Sequence, residues 1–88
     1  MSWKKLDIDD LKLLLAQDEI EKLSELSLDP EITAVINSII DMVAAMWRGA
    51  LRAKGYSMDI RDGYIPDAYQ YWVLVHSRYA VWSRFPNS

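Results

Sequence analysis

Asp29-Pro30-Glu31-Ile32-Thr33-Ala34-Val35-Ile36-Asn37-Ser38-Ile39-Ile40-Asp41-Met42-Val43-Ala44-Ala45-Met46-Trp47-Arg48-Gly49-Ala50-Leu51-Arg52-Ala53-Lys54-Gly55 is the stretch on which the fold turns. It carries the punctuation of one long helix. Asp29 is a good N-cap, and Pro30 falls at the first helical position, where a missing N–H costs nothing. Gly55 stops the helix, and Arg48, Arg52 and Lys54 place positive charge at its end. About 25 residues at ~1.5 Å each give a rod of about 37 Å. Its apolar stripe runs through Ile32, Ile36, Ile39, Val43, Met46 or Trp47, and Ala50, at three- and four-residue spacing. Val35, Ile40, Met42 and Leu51 widen that stripe, so the helix is expected to be central, with neighbours on several sides. Gly49 in its interior costs about 1 kcal/mol relative to alanine. Close packing where Trp72 crosses is the expected offset.

Toward the N-terminus, Asp7 to Ala16 reads as a short helix with Asp7, Asp9 and Asp10 at its start and Leu11, Leu14 and Leu15 on one face. Asp18 to Leu26 reads as a second, with Ile20, Leu23 and Leu26 inward; one bent helix is the alternative. Toward the C-terminus, Tyr56 to Ile65 reads as a loop, and Asp62-Gly63 suits the turn of a small hairpin between Ile60 and Tyr64-Ile65. Pro66 then opens a last helix reaching about Arg84. Ala68, Tyr69, Trp72, Val75, His76, Tyr79 and Trp82 form one stripe, expected to bury against the long helix. Tyr71, Leu74, Val81 and Phe85 form a second, expected to meet a partner. The expected class is all-α: a small bundle of two short helices, a long central helix and a long C-terminal helix.

The 88 residues leave room for one domain. A chain this short buries only about 60–65% of its unfolded surface. It has no cysteine, so neither a disulfide nor a thiolate-bound zinc reinforces the core. Yet 51% of the residues are hydrophobic, with four Trp and five Tyr. A partner surface is the economical use of that surplus. There is no run of about 18 uncharged apolar residues and no apolar segment after Lys4 and Lys5, so neither a membrane span nor a signal peptide is expected. The default compartment is cytoplasmic. The net charge of −3 is unevenly spread: acids dominate residues 1–31 and bases residues 48–88. That asymmetry suits packing between identical copies and argues against a nucleic-acid reader, which needs a basic excess.

No set of residues converges on chemistry. His76 is the single histidine, expected to be a core or interface residue making one hydrogen bond. Ser77 follows it directly, so on a helix the two side chains diverge by about 100° and form no nucleophile–base pair. Helix capping accounts for Asp7, Asp9 and Asp10, and turn chemistry for Asp59 and Asp62-Gly63, which lack the order of a calcium loop. No phosphate loop, metal site or cofactor site is expected, and no small-molecule substrate. The basic and aromatic cluster is Arg48, Arg52, Lys54 and Arg61 with Tyr56 and Tyr64; ion pairing with a neighbour's acidic helices outweighs nucleic-acid contact.

Leu6-Asp7-Ile8-Asp9-Asp10-Leu11, then Ile36, Ile39-Ile40-Asp41 and Val43, then Arg48-Gly49-Ala50-Leu51-Arg52-Ala53-Lys54-Gly55-Tyr56, then Ile65-Pro66 and Ser77-Arg78-Tyr79-Ala80-Val81-Trp82 form an ordered series. It resembles the head–tail connector (adaptor, head-completion) proteins of tailed phages and prophages, including a Mu-like prophage group. The resemblance spans about Leu6 to Phe85. It implies a helical subunit that assembles as a homo-oligomeric ring beneath the portal, extends the DNA channel and offers a platform to stopper or tail proteins, with no reaction and no cofactor. Such a protein is cytoplasmic during assembly and then part of the virion. On this reading Tyr71, Leu74, Val81, Phe85, Tyr56, Arg61 and Tyr64 are partner contacts. Arg48, Arg52 and Lys54 face the DNA channel, nonspecifically, or the next subunit. The alternative is a small non-enzymatic regulatory module, dimeric and binding protein or DNA.

Overall fold

The computed structural model describes residues 2–86, and among these four helices and one pair of short strands form. In chain order they are β1 (Trp3–Lys5), α1 (Ile8–Lys12), α2 (Gln17–Leu26), α3 (Pro30–Ala53), β2 (Tyr64–Pro66) and α4 (Asp67–Arg84). The molecule is mostly helical, and the strand pair is its one departure from an all-α architecture.

Each helix end has a local cause. Asp7 caps α1 by accepting from the amides of Asp9 at 3.0 Å and Asp10 at 3.3 Å, while the Asp10 carboxylate accepts from the Asp7 amide at 3.0 Å. That reciprocal box satisfies amides a helix start leaves unpaired. Asp10 also pairs with Lys4. α1 stops at Lys12, short of Ala16, because residues 13–15 tighten into turns whose amides reach back three residues. Asp29 caps α3 through the Glu31 amide at 2.9 Å, with Pro30 in the first turn. At its other end Gly55 takes φ of +89°, and the Tyr56 amide reaches the Leu51 carbonyl at 3.1 Å. Only glycine adopts that left-handed step without penalty, and the bond closes the helix.

Asp62-Gly63 does not turn a hairpin back on Ile60. β2 pairs antiparallel with β1 instead, with Trp3 opposite Pro66, Lys4 opposite Ile65 and Lys5 opposite Tyr64. The Asp67 amide then donates to the Ser2 carbonyl at 2.8 Å. Ile60 is 95% exposed and offers no partner row, whereas the N-terminal strand brings Leu6 into the core behind it.

α3 and α4 pack side by side and form the principal helix contact. Beneath them, Leu6, Ile8, Leu11, Leu15, Leu23 and Ile65 complete the core with Ile36, Ile40, Val43 and Ala44 from α3 and Val73 and Val81 from α4. The Ile8 amide donates to Asn37 Oδ1 at 3.0 Å, which ties α1 to α3.

α4 is rotated from the expected setting, whereas α3 keeps the core of its expected stripe: Ile36 and Val43 are buried, and Ile32, Ile39 and Trp47 pack against them. In α3 the inward face is Ile36, Ile40, Val43, Ala44, Arg48 and Leu51, while Met42 and Met46 lie open at 58% and 57% exposure. α3 is therefore packed on one side and open on the other. By length and composition alone it is apolar enough to cross a membrane, with mean hydropathy 1.3 over its best window. Core burial accounts for its inner face. In α4 the fully buried line is Val73, Ser77 and Val81, at four-residue spacing. The stripe expected inside faces out at Ala68, Trp72 and Tyr79. The stripe expected at a partner turns inward at Val81 and packs on the core with Leu74 and Phe85, leaving only Tyr71 exposed. The reason is size. Helices approach closest over small side chains, and Ser77 fits there because its hydroxyl donates back to the Val73 carbonyl at 2.7 Å.

Candidate functional site: the outer face of the two long helices

Trp72 is 54% exposed and Tyr79 76%, while beside them Val75 and Trp82 are half-buried, with Trp82 also packing against the core. A groove of about 460 Å³ is lined by Val75, Arg78, Tyr79, Trp82 and Ser83. The open side of α3 adjoins it. Met46, Trp47 and Ala50 line a groove of about 290 Å³ with His76 of α4, and Val35, Ile39 and Met42 line one of about 380 Å³ with Arg84. Three grooves thus open on the outer sides of the two helices, and their linings are mostly apolar. Trp47 Nε1–H donates to His76 Nδ1 at 3.2 Å, so the lone histidine makes the single hydrogen bond expected of it. Ser77 is buried and bonded to its own helix, so no Ser–His pair forms.

Arg48 is the largest correction among the named site residues. It is 6% exposed, and its guanidinium donates to the Tyr64 carbonyl at 2.6 Å and the Asp59 carbonyl at 2.7 Å. A planar fork with fixed donors holds two carbonyls at once. Arg48 is a brace for the loop and faces neither a channel nor a neighbour. Arg52 and Lys54 remain exposed. Arg61 is engaged within the loop: it forks onto Asp59 at 2.9 and 2.7 Å and lies over the Tyr64 ring, 3.9 Å from its centroid. The Arg61 guanidinium holds the Asp59 carboxyl down at about 2. Tyr64 is half-buried in β2. The hydroxyls of Tyr56 and Tyr69 meet, with the rings edge to face at 5.7 Å. The expected cluster of free bases around Tyr56 and Tyr64 therefore reduces to Arg52 and Lys54.

Sequence reasoning missed Glu19. It is 7% exposed in α2 and accepts from Arg78 Nε at 2.9 Å, Arg78 Nη2 at 2.6 Å, Trp82 Nε1 at 2.7 Å and the Ala16 amide at 3.3 Å. Arg78 and Trp82 are four residues apart on one side of α4, so a single carboxylate meets both. The Arg78 hydrogen bonds hold its pKa below the ordinary value, against the opposing effect of burial. The spacing of Arg78 and Trp82 was a signal, but nothing in the chain singles out Glu19 from the other acids around it.

No family model matches the chain, and neither does any curated protein or solved structure.

Proposed function

We propose that this chain is a non-catalytic structural subunit that works by self-assembly, in the role of a phage or prophage head–tail connector that joins portal to stopper or tail. One observation supports the reading above the others: the two longest helices each bury one side and leave the other apolar and open, with Met42, Met46, Trp72 and Tyr79 all more than half exposed. Open apolar helix faces of this kind on a small chain are the mark of an interaction surface. The resemblance in the order of helices and helix ends supplies the connector role. Native mass spectrometry over a wide concentration range tests it. Large closed oligomers, or a ladder growing toward one, are expected. A discrete dimer at every concentration would overturn the ring.

The second reading, a dimeric regulatory module, draws on the exposed Arg52 and Lys54 at the end of α3. Its nucleic-acid form predicts a low-salt gel shift with arbitrary duplex DNA. Nonspecific Kd values are typically ~10⁻⁴–10⁻⁶ M at physiological salt and tighter below it, so no shift at tens of micromolar protein would remove that form.

A further inference from the structure

The two open faces match each other. On α4, Ala68, Trp72, Val75, Tyr79 and Trp82 follow in alternating steps of four and three residues. On α3, Val35, Ile39, Met42, Met46, Gly49 and Ala53 do the same. Such steps keep side chains along one line of a helix and are the spacing of helices that pack lengthwise on a partner. Ile39 and Trp82 pack partly against the core, but the fully buried lines run elsewhere, through Ile36, Ile40 and Val43 on α3 and Val73, Ser77 and Val81 on α4.

The fold also fixes the height of each residue. Trp47 bonds His76, and Met42 shares a groove with Arg84. α3 and α4 therefore run antiparallel, with Gly49 about a turn or less from the level of Trp72, Met42 between the levels of Tyr79 and Arg84, and Lys54 about a turn or less from the level of Asp67. A rotation about an axis parallel to the helices preserves these heights. It sets the α4 of one copy against the α3 of another with the bulky ring of Trp72 over Gly49, where a Cβ would meet nothing within 4 Å. The same motion brings Asp67 toward Arg52 and Lys54; all three are exposed. A flipped arrangement, α4 on α4, would set Trp72 against Tyr79 and force bulk on bulk. It would leave the small residues of α3 facing each other across a gap.

We infer that the aromatic side of α4 seats on the open side of α3 in a second copy of this chain, with all copies pointing the same way along a shared axis. Each copy offers both halves of the contact, so the association continues from copy to copy and closes as a dimer or a ring where the rotation divides a full turn. The inference rests on the self-assembly reading above and names its surface.

The absence of cysteine makes the test direct. Single variants A53C and A68C are mixed and oxidised. A disulfide-linked dimer is expected from the mixture and not from either variant alone. In parallel, G49L and W72A are examined by native mass spectrometry and thermal melting. Both are expected to raise the concentration needed for assembly at least tenfold while the helical signal persists and the melting temperature of the isolated chain does not fall. Oligomers that form without the mixed cross-link, or that ignore both substitutions, would overturn this contact and leave self-assembly standing through another surface. A mixed cross-link together with a wild-type chain that stays dimeric at every concentration in native mass spectrometry would support the contact and overturn the ring. Loss of folding in both variants, or a wild-type chain monomeric throughout, would overturn the contact.

Discussion

At the scale of single residues, Arg48 and Gly49 are neighbours with opposite roles. Arg48 is buried and satisfies two loop carbonyls, so its loss strands acceptors away from water. R48M is expected to cost roughly 2–4 kcal/mol, read as a fall in melting temperature or denaturation midpoint. R48K should recover only part of this, because an ammonium is a point donor and cannot fork. Gly49 faces open space in mid-helix. G49A should stabilise the isolated chain by about 1 kcal/mol. On a domain of this size that raises the melting temperature by roughly 4–8 °C. Arg48 was legible as a helix-end cation but not as a buried one. Its partners are backbone carbonyls, which every residue carries, so no residue type in the loop announced them.

At the scale of elements, the helix boundaries were readable because caps are local chemistry: Asp7, Asp29, Pro30 and Gly55 act within a turn of where they stand. The rotation of α4 was not. Three aromatics dominate any reading of its apolar side, yet the closest approach to α3 uses Val73, Ser77 and Val81, whose small size only matters once a neighbouring helix is present. V81A should therefore cost about 2 kcal/mol, and W72A should stay within about 0.5 kcal/mol in the monomer; urea titration of both variants checks the setting of the helix. Between elements, Glu19 fastens α2 to α4. Its folded-state pKa lies below the ordinary 4.5, so its contribution is complete above that value and is lost as pH falls through the lower, folded one. E19Q is expected to cost roughly 1–2 kcal/mol near neutral pH, toward the low end because Arg78 is half in water. It should also flatten the loss of stability below pH ~4.5, measured by melting across an acid series.

At the scale of the whole molecule, the chain is a rod 40 Å long and 23 by 20 Å across. Its two long helices lie along the rod and form a layer over the smaller elements. The apolar surplus visible in composition is real surface, concentrated on the outside of that layer. The strand pair carries a separate consequence, for the order in which the chain folds. α2 and the α3–α4 hairpin close over short sequence separations and are free to form early, but β1 must find β2 across nearly the whole chain, residue 3 against residue 66. Bringing such distant segments together is entropically slow relative to helix growth. A substitution that breaks this pairing, such as Lys4→Pro, which also removes the Lys4–Asp10 ion pair, should raise the unfolding rate and leave the refolding rate nearly unchanged in stopped-flow traces. Residues 3–5, synthesised well before their partners at 64–66, would then be among the last to find their place.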